Sequence, residues 1–277
     1  MKKVFFVLLS AVVAVSCFAG GRRPPRPPHP PHPHHHPPYR YPDVYWGPEV
    51  ETLDRAVVDD RNLVQDRFVL SEGRELKYCQ FAENLDRPGA PLLILVLHGR
   101  GGSGGDNTQQ LSAPAAGPFL EYVRRHRIKA VLLLPQCARD RSWVDDDVMK
   151  LVMAFLGAKM AEFHAPAEKC LVTGFSAGGE ACYALCAAYP GSFARVLAVG
   201  SGGRPDLARG MRGNFYIAIG DRDRVVPPAN AERMARALRD NGCRVRLELI
   251  PGRDHVDGAR AAYRGAARTW FFGRSGE

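Results

Sequence analysis

The sequence has no run of about eighteen apolar residues, so no segment could cross a bilayer as a mature helix. Cysteine is sparse, seven in 277 residues, which excludes a small disulfide-stapled scaffold. Acidic residues are outnumbered, 29 Asp and Glu against 38 Lys and Arg, leaving a formal charge of +9. That surplus attracts anionic neighbours such as nucleic acid or acidic envelope polymers without selecting among them. With 45% hydrophobic residues, wholesale disorder and a collagen-like repeat are both excluded. What remains is a globular composition with the length of one or two domains.

The start of the chain carries an address. Lys2 and Lys3 precede the apolar stretch Val4 to Val15, interrupted only by Ser10, and the small residues Ser16, Cys17, Ala19 and Gly20 follow. A basic start, a short apolar core and small residues at a cleavage point describe a secretory signal over residues 1–19. The alternative is lipoprotein processing, with Ala14-Val15-Ser16-Cys17 as a loose lipobox and Cys17 as the lipid-bearing, membrane-attached residue. Either route places the protein outside the cytoplasm. Cys79, Cys137, Cys170, Cys182, Cys186 and Cys243 then face an oxidising compartment where pairing is allowed, or serve as small buried apolar residues. Their pairing stays open.

Residues 20–48 have no periodic apolar pattern, and the stretch 20–42 alone holds ten Pro and five His. Such a segment cannot bury enough surface to fold and reads as an extended polyproline spacer. His29, His32, His34, His35 and His36 offer a weak transition-metal site. The plainer reading is a solvated linker, and it removes five of nine histidines from the search for a catalytic base.

From residue 49 to 277 the pattern is that of one catalytic domain. Phe68-Val69-Leu70 and Glu75–Phe81 flank a turn and predict an antiparallel hairpin. Apolar runs follow at Pro91–Leu97, Ala130–Leu134, Cys170–Thr173, Val196–Gly200, Phe215–Gly220 and Val245–Ile250. Helix-length stretches lie between and after them, at Gln109–His126, Asp146–Phe163, Gly179–Tyr189, Ala229–Asn241 and Gly258–Phe272. Continuous apolar strands alternating with helices predict an α/β fold, a mostly parallel sheet covered on both faces. In such sheets the chemistry lies just after the strands, at their carboxyl ends.

After the run at 170–173 the chain reads Gly174-Phe175-Ser176-Ala177-Gly178-Gly179 and enters a helix. Gly-x-Ser-x-Gly between strand and helix exposes a nucleophilic hydroxyl on a sharp turn; the plainer reading is a tight turn with a serine N-cap. After the run at 91–97 comes His98-Gly99-Arg100-Gly101-Gly102-Ser103-Gly104-Gly105. Its glycines allow backbone N–H groups to face a developing oxyanion, those of Arg100 and Ala177 forming a two-donor hole. A phosphate cradle is excluded by the missing Gly-Lys-Ser/Thr ending. His98 reads as a loop organiser that borders the substrate site, not as a proton carrier. After the run at 215–220 come Asp221 and Asp223, and after the run at 245–250 come Asp254 and His255. His126 and His164 fall on helices, which leaves His255 as the base. Asp223 is the favoured acid, with Asp221 and Asp254 as fallbacks.

Residues 66–272 resemble the α/β-hydrolase esterases, above all the secreted feruloyl and acetylxylan esterases and polyhydroxybutyrate depolymerases, and the phospholipase/carboxylesterase group. The resemblance rests on Leu97-His98-Gly99-Arg100-Gly101-Gly102-Ser103, the serine turn, Gly220-Asp221-Arg222-Asp223-Arg224-Val225-Val226-Pro227 and Asp254-His255. It implies that the second acid of the Gly-Asp-x-Asp stretch, Asp223, completes the triad. It also implies that Trp143 borders the pocket as a stacking surface, the plainer role being a loop anchor. An ester substrate is expected, displayed on a polysaccharide in one version. No metal, organic cofactor or nucleic-acid partner is called for. The rival readings are a serine peptidase with the same triad, a non-catalytic surface protein, and a metal-binding function of the His-rich tail. Only about a dozen residues separate the runs at 196–200 and 215–220, so no large lid domain is expected and Ser176 should face solvent in an open cleft.

Overall fold

A computed structural model describes residues 62–70 and 73–273 of the chain. The expected signal segment 1–19, Cys17, the spacer 20–48 with its five histidines and the domain start at 49 lie outside the described residues. Eight strands form one sheet: β1 Leu63–Val69, β2 Glu75–Glu83, β3 Leu92–Leu97, β4 Ala130–Pro135, β5 Cys170–Phe175, β6 Arg195–Val199, β7 Asn214–Gly220 and β8 Arg244–Ile250. Their order is β1-β2-β4-β3-β5-β6-β7-β8. The first two pairings, β1 with β2 and β2 with β4, are antiparallel, and every pairing from β4 to β8 is parallel. The expected hairpin and parallel sheet are both present.

Six helices cover the sheet: α1 Ala116–Arg125, α2 Asp146–Glu162, α3 Ala177–Ala188, α4 Pro228–Asp240, α5 His255–Ala262 and α6 Ala266–Phe272. The apolar strands explain why both faces are covered. Along β3, Leu93, Leu95 and Leu97 enter one core with residues of α2, α3 and α4, while Ile94 and Val96 enter a second with α1, α5 and α6. Alternation of side chains across a strand leaves two apolar faces, and each needs its own layer of helices. Among the described residues no helix is long and apolar enough to cross a membrane.

Two helices predicted as continuous are divided. The stretch 109–126 begins with a 3-10 turn at Gln109–Ser112, and Ala113, ahead of Pro114, is extended (φ −53°, ψ 129°) before α1 starts. A residue preceding proline is pushed out of the helical region. The stretch 258–272 opens earlier than predicted, at His255, because the Asp254 side chain accepts the Asp257 N–H and caps α5. It breaks at Gly265, which precedes α6.

Candidate active site

Ser176 occupies the turn from β5 into α3 with φ 55° and ψ −117°, a backbone conformation that L side chains rarely adopt. The strain costs on the order of 1–3 kcal/mol and persists because the surroundings fix it. Its N–H donates to Val199 O at 2.9 Å, and its carbonyl accepts the Glu180 N–H at 3.0 Å. The flanking glycines are demanded by contact. A Cβ on Gly174 would lie 2.1 Å from Gly178 O, and one on Gly178 would lie 2.1 Å from Leu97 O. Glycine costs about 1 kcal/mol inside a helix, and here that cost brings α3 against β3.

His255 and Asp223 meet at the same end of the sheet, in the loops after β8 and β7. His255 Nδ1 lies 2.7 Å from Asp223 Oδ2, with the two side chains 4% and 0% exposed. Asp223 Oδ1 accepts the N–H groups of Val225 (2.9 Å) and Val226 (2.8 Å), so the carboxylate is held by three donors. The imidazole packs on the Phe175 ring, centroids 4.7 Å apart. Gly200 (φ 56°) makes room for it, since a Cβ there would come within 3.2 Å of His255 Cε1. His255 Nε2 is buried and makes no hydrogen bond, so the serine–histidine bond is not formed in this structure. Catalytic bonds of this kind are often long until substrate is bound.

The other acids are engaged elsewhere. Asp221 Oδ1 accepts the Gly252 N–H at 2.7 Å, tying the β7 loop to the β8 loop, and Asp254 caps α5. Both fallbacks are therefore structural, and of the three only Asp223 reaches His255.

The glycine-rich loop after β3 passes beside the serine. A Cβ on Gly99 would be 3.5 Å from Ser176 Cβ, and Arg100 begins a single 3-10 turn over Arg100–Gly102. Ala177 is the first residue of α3, where a backbone N–H has no helical partner. The loop is built from behind by side chains that sequence reasoning passed over. Gln136 donates to Asp106 Oδ1 (2.7 Å) and Gly102 O (3.3 Å) and accepts the Asn107 N–H (2.8 Å).

His98 and Trp143 belong to the same framework. His98 is buried; its Nε2 accepts the Cys137 N–H at 3.0 Å, so Nδ1–H donates to Gly99 O at 2.6 Å. Both ring nitrogens are spent on backbone. Burial depresses its pKa from 6.5 to about 4, which keeps the ring neutral. Trp143 is 4% exposed, packs on the His98 ring at 4.8 Å and donates its Nε1–H to His98 O at 3.0 Å. It anchors the loop and offers no stacking face.

The segment after β6 closes the other side. Glu180, one turn along α3 from Ser176, accepts the N–H groups of Gly202 (2.8 Å) and Gly203 (3.0 Å). The connection from Val199 to Asn214 carries one 3-10 turn, Pro205–Ala208, and no lid. Ser176 itself is 4% exposed at the elbow.

No protein-family model matches the sequence, and no curated protein matches it either. Solved structures do. A thermostable esterase superposes with a TM-score of 0.67 at 22% identity, over 76% of this chain and 62% of its own. A puromycin-hydrolysing peptidase of Mycobacterium tuberculosis gives 0.56 at 18% identity, over 73% and 38%. The esterase PE8 gives 0.53 at 19% identity, over 76% and 100%. The fold is that of the α/β hydrolases. The chain spans less than two thirds of the first two of these proteins, which carry further sequence of their own. At the carboxyl ends of its parallel strands this fold thus holds a serine on a strained strand-to-helix turn and an imidazole oriented by a carboxylate.

Proposed function

We propose that this α/β hydrolase is an extracytoplasmic serine esterase with Ser176 as nucleophile, His255 as base and Asp223 as orienting acid. The observation that carries the reading is the strained Ser176 (φ 55°) at the carboxyl end of β5, on the end of the sheet where His255 is locked to Asp223 at 2.7 Å. A backbone that costs energy at one serine, next to an oriented imidazole, has no structural purpose that another residue would not serve better.

In this reading His255 Nε2 takes the Ser176 proton as Oγ attacks the ester carbonyl. The N–H groups of Arg100 and Ala177 receive the oxyanion, and His255 returns the proton to the departing alcohol. Water repeats the sequence on the acyl-enzyme. Asp223 holds the imidazole with Nδ1 protonated, leaving Nε2 as the basic nitrogen. Esterases among the structural neighbours support the ester as the bond cleaved, and the short, lidless connection after β6 supports short or aromatic acyl groups displayed on a carrier. The leader and Pro/His-rich stretch support export and a substrate held on a bulky carrier such as a polysaccharide. Ser176→Ala should lower hydrolysis of chromogenic acetyl, butyryl and feruloyl esters by ~10⁴-fold or more while the circular dichroism spectrum is kept. Retention of more than about one per cent of activity would remove Ser176 from the mechanism.

A further inference from the structure

The two loops that carry His255 and Asp223 also carry three arginines with no role in holding them. Arg222 and Arg224 flank Asp223, and Arg253 precedes His255 by two residues. All three are exposed, and none has a side-chain hydrogen bond or ion pair among the described residues. The loops are joined at the backbone, with the Arg222 N–H donating to Arg253 O at 2.9 Å. Gly220 permits that approach, since a Cβ there would lie 2.2 Å from Arg253 O.

The acids on these loops are used differently. Asp223 is buried against His255 and two backbone N–H groups, Asp221 holds the Gly252 N–H, and Asp254 caps α5. Each carboxylate has a partner within the protein, whereas the guanidinium forks are left for solvent or ligand. Arginine is the side chain best suited to planar anions, since its fixed fork of donors meets a carboxylate in two places at once. The position also has a chemical meaning. His255 must hand its proton to the leaving alcohol, so the alcohol half of a substrate lies on the His255 side, over these loops.

Resting on the esterase reading, we propose that Arg222, Arg224 and Arg253 select substrates whose alcohol half bears a carboxylate, as an acidic sugar would. The excess of basic residues, with a sequence pI of about 9.4, would add long-range attraction for such a polymer.

The test compares 4-acetoxybenzoate, charged on its leaving group, with neutral 4-acetoxybenzamide. Wild-type enzyme should prefer the charged ester at low ionic strength, and the preference should fade as salt screens it. In Arg222→Gln/Arg224→Gln/Arg253→Gln the ratio of kcat/KM for charged over neutral ester should fall about tenfold, mainly through KM. An unchanged ratio would overturn the proposal. So would an equal fall for 4-nitrophenyl hydrogen succinate, whose charge lies on the acyl half. Failure of the wild type to hydrolyse any of the three would instead defeat the esterase reading, and this inference with it.

Discussion

At the scale of single residues, the site depends on which carboxylate reaches His255 Nδ1. Asp223→Asn presents an amide where the imidazole needs an acceptor for its Nδ1 proton, and turnover near neutral pH should fall by ~10³–10⁴-fold. Asp221→Asn keeps an oxygen for the Gly252 N–H, and activity should stay within about threefold. Steady-state kinetics on one chromogenic ester, with both variants folded, decides this, and a reversed ranking would assign the acid to Asp221. Much of this was legible in the sequence because Ser176, Asp223 and His255 each follow an apolar run, and strand ends in a parallel sheet converge on one edge. His98 was legible as a loop organiser, whereas Trp143 was left between pocket wall and loop anchor. Their positions beside the loop were predictable, but whether a ring faces the pocket or its own backbone is settled by tertiary packing. Gln136 and Glu180 gave no signal for the same reason, since each acts through backbone groups more than twenty residues away.

Among the elements, α3 is the one on which the site turns. It begins at the elbow, and through Glu180 it fixes the Gly202 and Gly203 N–H groups just beyond Gly200, which packs on His255. Loss of both bonds in Glu180→Ala should free that loop and lower kcat about tenfold, on the order of 1–2 kcal/mol, with KM little changed. Glu180→Gln retains an accepting oxygen and should recover most of the rate. A Glu180→Ala variant that loses thermal stability but keeps full kcat would reduce the residue to a structural tie. The element boundaries that sequence reasoning misplaced have local causes. Pro114 interrupts a helical pattern that hydrophobic spacing alone continues, and the Asp254 cap starts α5 three residues ahead of the predicted helix. Apolar periodicity reports the face of a helix, and its ends are written in caps and prolines.

For the whole molecule, His98 links the loop framework to stability. Its pKa is depressed from 6.5 to about 4 by burial. Between those values the unfolded chain binds a proton that the folded chain refuses, so stability is complete above pH 6.5 and falls as pH drops toward 4. The loss attributable to this one group is roughly 3 kcal/mol, readable as a falling urea midpoint between pH 7.5 and pH 4.5. His98→Gln should flatten that slope even if it lowers the midpoint at pH 7.5. A slope unchanged by the substitution would mean that other groups govern acid unfolding. All six described cysteines are buried free thiols, and burial raises Cys79 to about 11 and Cys137 to about 12, so neither supplies a competing thiolate nucleophile. The central claim, that one activated serine carries the chemistry, is most directly tested by treating the intact protein with a fluorophosphonate and mapping the adduct by mass spectrometry. The account predicts a single adduct, on Ser176, that forms far more slowly in His255→Ala. No adduct, or an adduct on any other residue, would contradict it.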